Sequence, residues 1–197
     1  MRTLIIGCGG IGSFLSEYLN TLIINDVQGT ENLDITVVDD DIVEEKNVRY
    51  QNFPNPEDLK NPKAQVIGER YLFNYKIKRI TSDDDLKDYN LIVLAVDNGK
   101  VRKLVYEYCD KNKDVKFIDL RSEGTAVAFY TTHKDNTLDK MLNTIDPDAP
   151  STSCQLAFEL AEGKIQQGNK IIASIGSQLI LNELRGEPNL AQFNFRF

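Results

Sequence analysis

Histidine and cysteine are scarce in this chain: one histidine, His133, and three cysteines, Cys8, Cys109 and Cys154, among 197 residues. The cysteines are odd in number, far apart and free of any C-x-x-C pair, which excludes a disulfide framework and a thiolate zinc site and suits a reduced compartment. His133 follows a threonine- and aromatic-rich stretch with no nucleophile placed to use it, which argues against Ser-His-Asp or Cys-His catalysis. No apolar run approaches the roughly 20 residues that a bilayer-spanning helix needs. The opening MRTLIIGCGGIG passes from one cation through a short apolar run into glycines without a cleavage signal. A cytoplasmic protein with no membrane partner is expected. Lys/Arg blocks are also missing, and 30 acidic residues outweigh 23 basic ones for a formal charge of -7, so nucleic acid is not an expected partner.

What is present is ordinary globular composition, 41% hydrophobic and 27% charged, in a length that suits one domain over residues 1–197 with no internal repeat. Thr3 to Ile6 reads as a strand ending in Gly7, and Ile11, Leu15, Tyr18, Leu19 and Leu22 recur at helical spacing after it. Leu33 to Val38 predicts a second strand that stops at Asp39, Asp40 and Asp41, followed by a loop-rich stretch to Pro62. A helix marked by Ala64, Ile67, Tyr71 and Leu72 then leads to a strand expected at Lys76 to Ile80. Leu91 to Val96 is the most apolar run; a helix through Val101, Leu104, Val105 and Tyr108 and a strand at Val115 to Leu120 follow.

This alternation predicts an α/β, Rossmann-like, mainly parallel sheet with helices on both faces, because parallel strands need crossovers between them. The core is expected over 1–124. From Thr125 the pattern changes to a C-terminal antiparallel extension over 125–197: an extended run Thr125 to Thr132, a short helix Leu138 to Ile145, a long helix Ile171 to Leu184 closed by Gly186, and a terminal strand Gln192 to Phe197.

Ligands of such sheets bind at the carboxyl ends of the strands. There Gly7, Gly9 and Gly12 form G-x-G-x-x-G between strand and helix, where backbone N–H groups and the helix dipole can receive a phosphate; the alternative is a tight packing turn. Asp39, at the end of the second strand, is placed to accept hydrogen bonds from ribose hydroxyls, whereas Asp40 reads as a solvated turn acid. Asp97, after the apolar fourth strand and before Asn98 and Arg102, is a candidate magnesium ligand or a helix cap. Lys63 near its helix start is a candidate phosphate cation, not separable at this level from Lys60. Cys154, in the polar segment Pro150 to Gln155, is the most plausible nucleophile of the three thiols, although burial as a small apolar residue is the commoner fate; Cys8 and Cys109 read as structural.

Taken in order, GCGGIGS, VVDDDIVEEKNVRYQNF, NPKAQV, VAVDNGKVR and FIDLRSEG resemble the ThiF/MoeB/HesA family, relatives of ubiquitin-activating enzymes. The resemblance implies ATP rather than NAD, and adenylation of the C-terminal carboxylate of a ubiquitin-like or sulfur-carrier protein or peptide. It implies nucleotide contacts from Gly7, Gly9, Gly12, Asp39, Asp41, Asn47, Gln51, Lys63, Asp97, Asn98 and Arg102, with magnesium at Asp97. Tyr50 stands where the family pattern has arginine, and the guanidinium is shifted to Arg49, which would serve as the catalytic cation if it reaches the same place. The resemblance also implies a homodimer. The N-terminal helix of bacterial members, which lends an arginine to a neighbouring subunit, is not expected, and neither is zinc. Alternatives are a non-catalytic ATP-binding partner subunit of an activating enzyme and an NAD-dependent oxidoreductase, the latter without a hydride-transfer site.

Overall fold

A computed structural model of the chain describes residues 1–149 and 161–197. One seven-stranded sheet forms its centre, built from β1 (Arg2–Ile6), β2 (Asp34–Val38), β3 (Asn74–Lys76), β4 (Leu91–Leu94), β5 (Lys116–Glu123), β6 (Ala126–Thr131) and β7 (Gln192–Arg196). The spatial order is β3-β2-β1-β4-β5-β6-β7, parallel from β3 to β5 and antiparallel from β5 to β7. Among the described residues the helices are α1 (Gly10–Ile24), α2 (Glu45–Val48), α3 (Lys63–Tyr71), α4 (Gly99–Lys111), α5 (Leu138–Leu142) and α6 (Gly168–Arg185). None is long and apolar enough to cross a membrane.

The short apolar strands are buried on both faces, which is why β1 and β4 read as continuous hydrophobic runs rather than alternating ones. Ile5, Leu91 and Val93 face a core with α1, α3 and α6, through Ile11, Leu15, Ile67, Ile172 and Ile180. Leu4, Ile6, Ile92 and Leu94 face the opposite core with α4 and α5, through Val105, Tyr106 and Met141. The C-terminal extension continues the same sheet, and α6 packs along α1.

One expected strand is displaced. Lys76 to Ile80 is not a strand; β3 lies earlier, at Asn74–Lys76. Leu72, at φ 57°, ends α3 in the left-handed conformation, and Phe73 N–H bonds the Gly68 carbonyl, so the chain is already extended by Asn74. Residues 77–80 instead turn over the sheet's end, where Ile80 is buried and Arg79 pairs with Asp40. The α2 turn, inside a stretch expected as loop, is closed by a reciprocal bond pair: Glu44 caps the Asn47 N–H, and Asn47 Oδ1 accepts the Glu44 N–H at 3.0 Å.

Candidate functional site

The strand order reverses between β1 and β4: the chain runs outward through β2 and β3, then returns to β4 on the other side of β1. That is the switch point at which open α/β sheets hold ligands. The turn after β1 and the loop after β4 open there onto a crevice of about 430 Å3, within the size range of small-ligand sites.

The glycine turn is anchored from three sides. Gly7, at φ 96°, donates its N–H to the Val38 carbonyl at 2.9 Å, and a Cβ on it would lie 2.6 Å from the Ala95 carbonyl oxygen. A Cβ on Gly12 would lie 1.9 Å from the Gly7 carbonyl oxygen, so Gly12 acts by letting α1 close on the turn and does not itself line the crevice. Gly9 is the N-cap of α1, no side chain among the described residues caps that helix, and its first turn carries no acidic residue. The positive end of a 15-residue helix therefore faces the crevice without an internal anion.

Asp39 ties the second strand to this turn. Its carboxylate accepts the Cys8 N–H at 2.6 Å and the Asp41 N–H at 2.8 Å. Burial pushes its pKa above the usual carboxylate value, against the two backbone N–H groups and Lys63, which favour the charged form. Lys63 is buried at 5% exposure, with its Nζ 2.9 Å from Asp41 Oδ2, whereas Lys60 is exposed and lines no part of the crevice. The structure thus separates the two lysines. Asp97 is exposed at the crevice mouth, and Asn98 caps α4 by accepting the N–H groups of Lys100 at 2.9 Å and Val101 at 3.3 Å.

The crevice brings together Gly7, Gly9, Asp39, Asp41, Asn47, Gln51, Lys63, Asp97 and Asn98. It does not gather Gly12, Arg49 or Arg102. Arg49 is exposed at the C-cap of α2, and Tyr50 occupies the crevice wall in its place. Arg102 turns inward: Nε donates to Asp119 Oδ1 at 3.0 Å and Nη2 to the Val96 carbonyl at 2.5 Å, fixing the loop that carries Asp97. Asp119, fully buried, also accepts from Tyr106 Oη and Arg121 Nε, and so fixes Arg102 in turn. Cys154 lies outside the described residues. The other thiols are poor nucleophiles: burial raises the Cys8 pKa well above normal and pushes Cys109 up to about 12.

Sequence reasoning missed Lys46, Lys78 and Arg79, which line the crevice beside Tyr50. The strand expected at Lys76 to Ile80 hid the role of Lys78 and Arg79, which lie past the end of β3. Among the described residues four cationic and five acidic side chains line the crevice, so these offer no net positive charge for a polyphosphate; a divalent cation would supply it. Asp97, a single open carboxylate, suits magnesium, which keeps most of its waters and shares a ligand's phosphates. Asp39, Asp40 and Asp41 also group their carboxylates within 4.8 Å, but Asp39 is committed to the turn, Asp40 to Arg79 and Asp41 to Lys63. Gln51 lines the crevice with its Nε2 toward Gly9, and its buried Oε1 has no hydrogen-bond partner among the described residues.

The family model described as the ThiF family matches residues 1–197. The chain belongs to the ThiF family. Among solved structures, this ThiF-family chain is similar to E. coli MccB with ATP, at 18% identity and a TM-score of 0.71, covering all of this chain and 60% of that one. It is similar to PaaA at 16% identity and a TM-score of 0.71, again with 60% of that chain covered. E. coli MccB with AMPCPP and MccA matches at 18% identity and a TM-score of 0.69, with 60% covered. The chain therefore spans about 60% of the length of these relatives. No curated protein matches it.

Proposed function

We propose that this ThiF-family chain binds ATP in the crevice and adenylates the C-terminal carboxylate of a peptide or of a ubiquitin-like or sulfur-carrier protein. The observation that carries this reading is the uncapped α1 N-terminus, locked by Gly7 and Gly12 and tied to Asp39 by the Cys8 N–H, opposite Lys63 and Asp97. The turn binds the phosphates and Asp39 the ribose hydroxyls. Lys63 balances phosphate charge, and its pairing to Asp41 keeps its ammonium oriented. Magnesium at Asp97 supplies further countercharge when bound.

The acceptor carboxylate is already ionised at neutral pH and needs no side-chain base; it attacks the α-phosphorus and releases pyrophosphate, and the protein supplies position and countercharge. A second cavity of about 530 Å3, sharing Val96 and Asp97 with the crevice and lined by Arg121, Ser122 and Arg196, is the approach we assign to the acceptor tail. E. coli MccB was solved with ATP and, in a separate structure, with AMPCPP and MccA, which supports a peptide acceptor. If the acyl group passes to a thiol, Cys154 is the candidate, since Cys8 and Cys109 are buried. The homodimer and the cytoplasmic setting belong to the same reading.

A second reading, a non-catalytic ATP-binding partner subunit, is favoured by one observation: Tyr50 fills the arginine's place and Arg49 stays outside the crevice. ATP–pyrophosphate exchange with candidate acceptors ending in Gly-Gly and with short peptides separates the two. Exchange that Asp97→Ala abolishes supports adenylation; confirmed ATP binding without exchange, across all acceptors, supports the partner subunit.

A further inference from the structure

The arginine missing at position 50 leaves the α2 side of the crevice without its expected cation, and Arg49 does not restore it. Arg49 is exposed and is not among the residues lining the crevice. Lys46 is. It lies on α2, and Tyr50, just past the C-cap of that helix, lines the same crevice. The hydrogen bond and charge of Glu44, and more weakly the Asp41 carboxylate, raise the pKa of its ammonium and keep it charged.

We propose that Lys46, and not Arg49, is the cation that meets the nucleotide's phosphate chain from the α2 side of the crevice. This assignment rests on the ATP-binding reading above. The present partner of Lys46 is Glu44, at 2.7 Å, with the two side chains 68% and 51% exposed. An exposed pair of that kind contributes little, so a phosphate oxygen can displace Glu44, and the side chain is free to swing inward. A lysine binds phosphate as a point charge and needs no planar fork, so a flexible ammonium replaces a guanidinium in this role.

The remaining crevice cations are placed for other work. Lys63 is buried against Asp41 in the crevice floor. Lys78 and Arg79 follow β3, on the far side of β2 from the glycine turn, where Lys78 is paired with Asp85 and Arg79 with Asp40. They border the ribose and base end of a nucleotide whose phosphates sit on α1. Lys46, on α2, is the fourth crevice cation among the described residues, and its side chain is the most exposed of the four.

The test measures affinity for ATP with magnesium, and separately for AMP, in the wild-type chain and in Lys46→Gln, Lys46→Arg and Arg49→Gln. Because Lys46 and Arg49 are exposed, the melting temperatures are expected to match that of the wild type. Lys46→Gln is expected to weaken ATP about tenfold while leaving AMP unchanged, the loss of one charge-assisted contact to the outer phosphates. Lys46→Arg restores most of that loss, and Arg49→Gln binds as wild type. Unchanged ATP affinity in Lys46→Gln, or equal weakening of ATP and AMP, overturns the assignment. Wild-type protein that binds no ATP contradicts the ATP reading itself, a result distinct from either of these.

Discussion

Replacing Gly12 by alanine sets two effects of opposite sign against each other at the centre of the site. Alanine is the better helix former by about 1 kcal/mol, so on propensity alone the change stabilises α1. The added methyl, however, falls 1.9 Å from the Gly7 carbonyl oxygen and 2.9 Å from its carbon. Both atoms are backbone, in a turn held by the Val38 carbonyl and the Asp39 carboxylate, so neither yields as a flexible side chain would. α1 must retreat by roughly 1.5 Å to recover ordinary contact, and overpacking of that kind costs about 1–3 kcal/mol. The net expectation is destabilisation of up to about 2 kcal/mol; at about 2–4 °C per kcal/mol for a chain of this size, the melting temperature falls by several degrees. The same retreat moves the uncapped N–H groups off the phosphate, so ATP affinity drops at least about tenfold. Thermal melts by circular dichroism and titration calorimetry with ATP read the two effects. A variant that melts higher than wild type and binds ATP equally well would refute the reasoning.

Asn169, 2% exposed on α6 against Gly10, has no hydrogen-bond partner among the described residues for its amide nitrogen or its oxygen; Asn169→Leu, nearly the same shape, is expected to stabilise the chain by about 1–3 kcal/mol in denaturant unfolding, and a loss of stability would contradict this. Burial raises the Asp39 pKa, so its charged, ribose-accepting form is lost on acidification at a higher pH than for an ordinary carboxylate. ATP affinity should therefore decline as pH is lowered through that raised value, and Asp39→Asn should bind weakly with a flatter profile; an unchanged slope argues against the ribose role. For folding the sign is the reverse: with the folded pKa above the unfolded one, this group's burial costs stability once pH rises through that window. Cys8 and Cys109 should resist thiol labelling at pH 8 until the chain is unfolded, with their thiols buried and raised; rapid labelling of either in the native chain would show that the turn or α4 opens locally.

The parts of the fold that were legible in the sequence are those set by local pattern. The apolar run Thr3 to Ile6, the glycines after it and the helical spacing from Ile11 reproduce β1, the turn and α1, and Leu91 to Leu94 reads as a strand buried on both faces because it is one. The seven-stranded, mostly parallel sheet with antiparallel C-terminal strands follows from that rhythm. What was hidden depends on contacts between residues distant in sequence. Arg102 points away from the crevice because Asp119, on a strand with no visible partner for it, is fully buried and needs a cation. The end of α3 depends on a left-handed Leu72, a conformation no residue pattern announces in leucine, and this shifted β3 and concealed Lys78 and Arg79. α2 has only four residues, too short for a periodicity, so the place of Lys46 and Tyr50 in the crevice wall emerged only from the fold.

The central claim concerns which phosphorus is attacked, and product analysis reads it directly. The chain, ATP with magnesium and an acceptor with a free C-terminus are incubated with hydroxylamine, and the nucleotide products and the acceptor mass are determined. Adenylation predicts AMP and pyrophosphate in equal amounts, with a hydroxamate at the acceptor's C-terminus. ADP and inorganic phosphate, with the acceptor unmodified or phosphorylated, would place the attack at the γ-phosphorus and contradict the account.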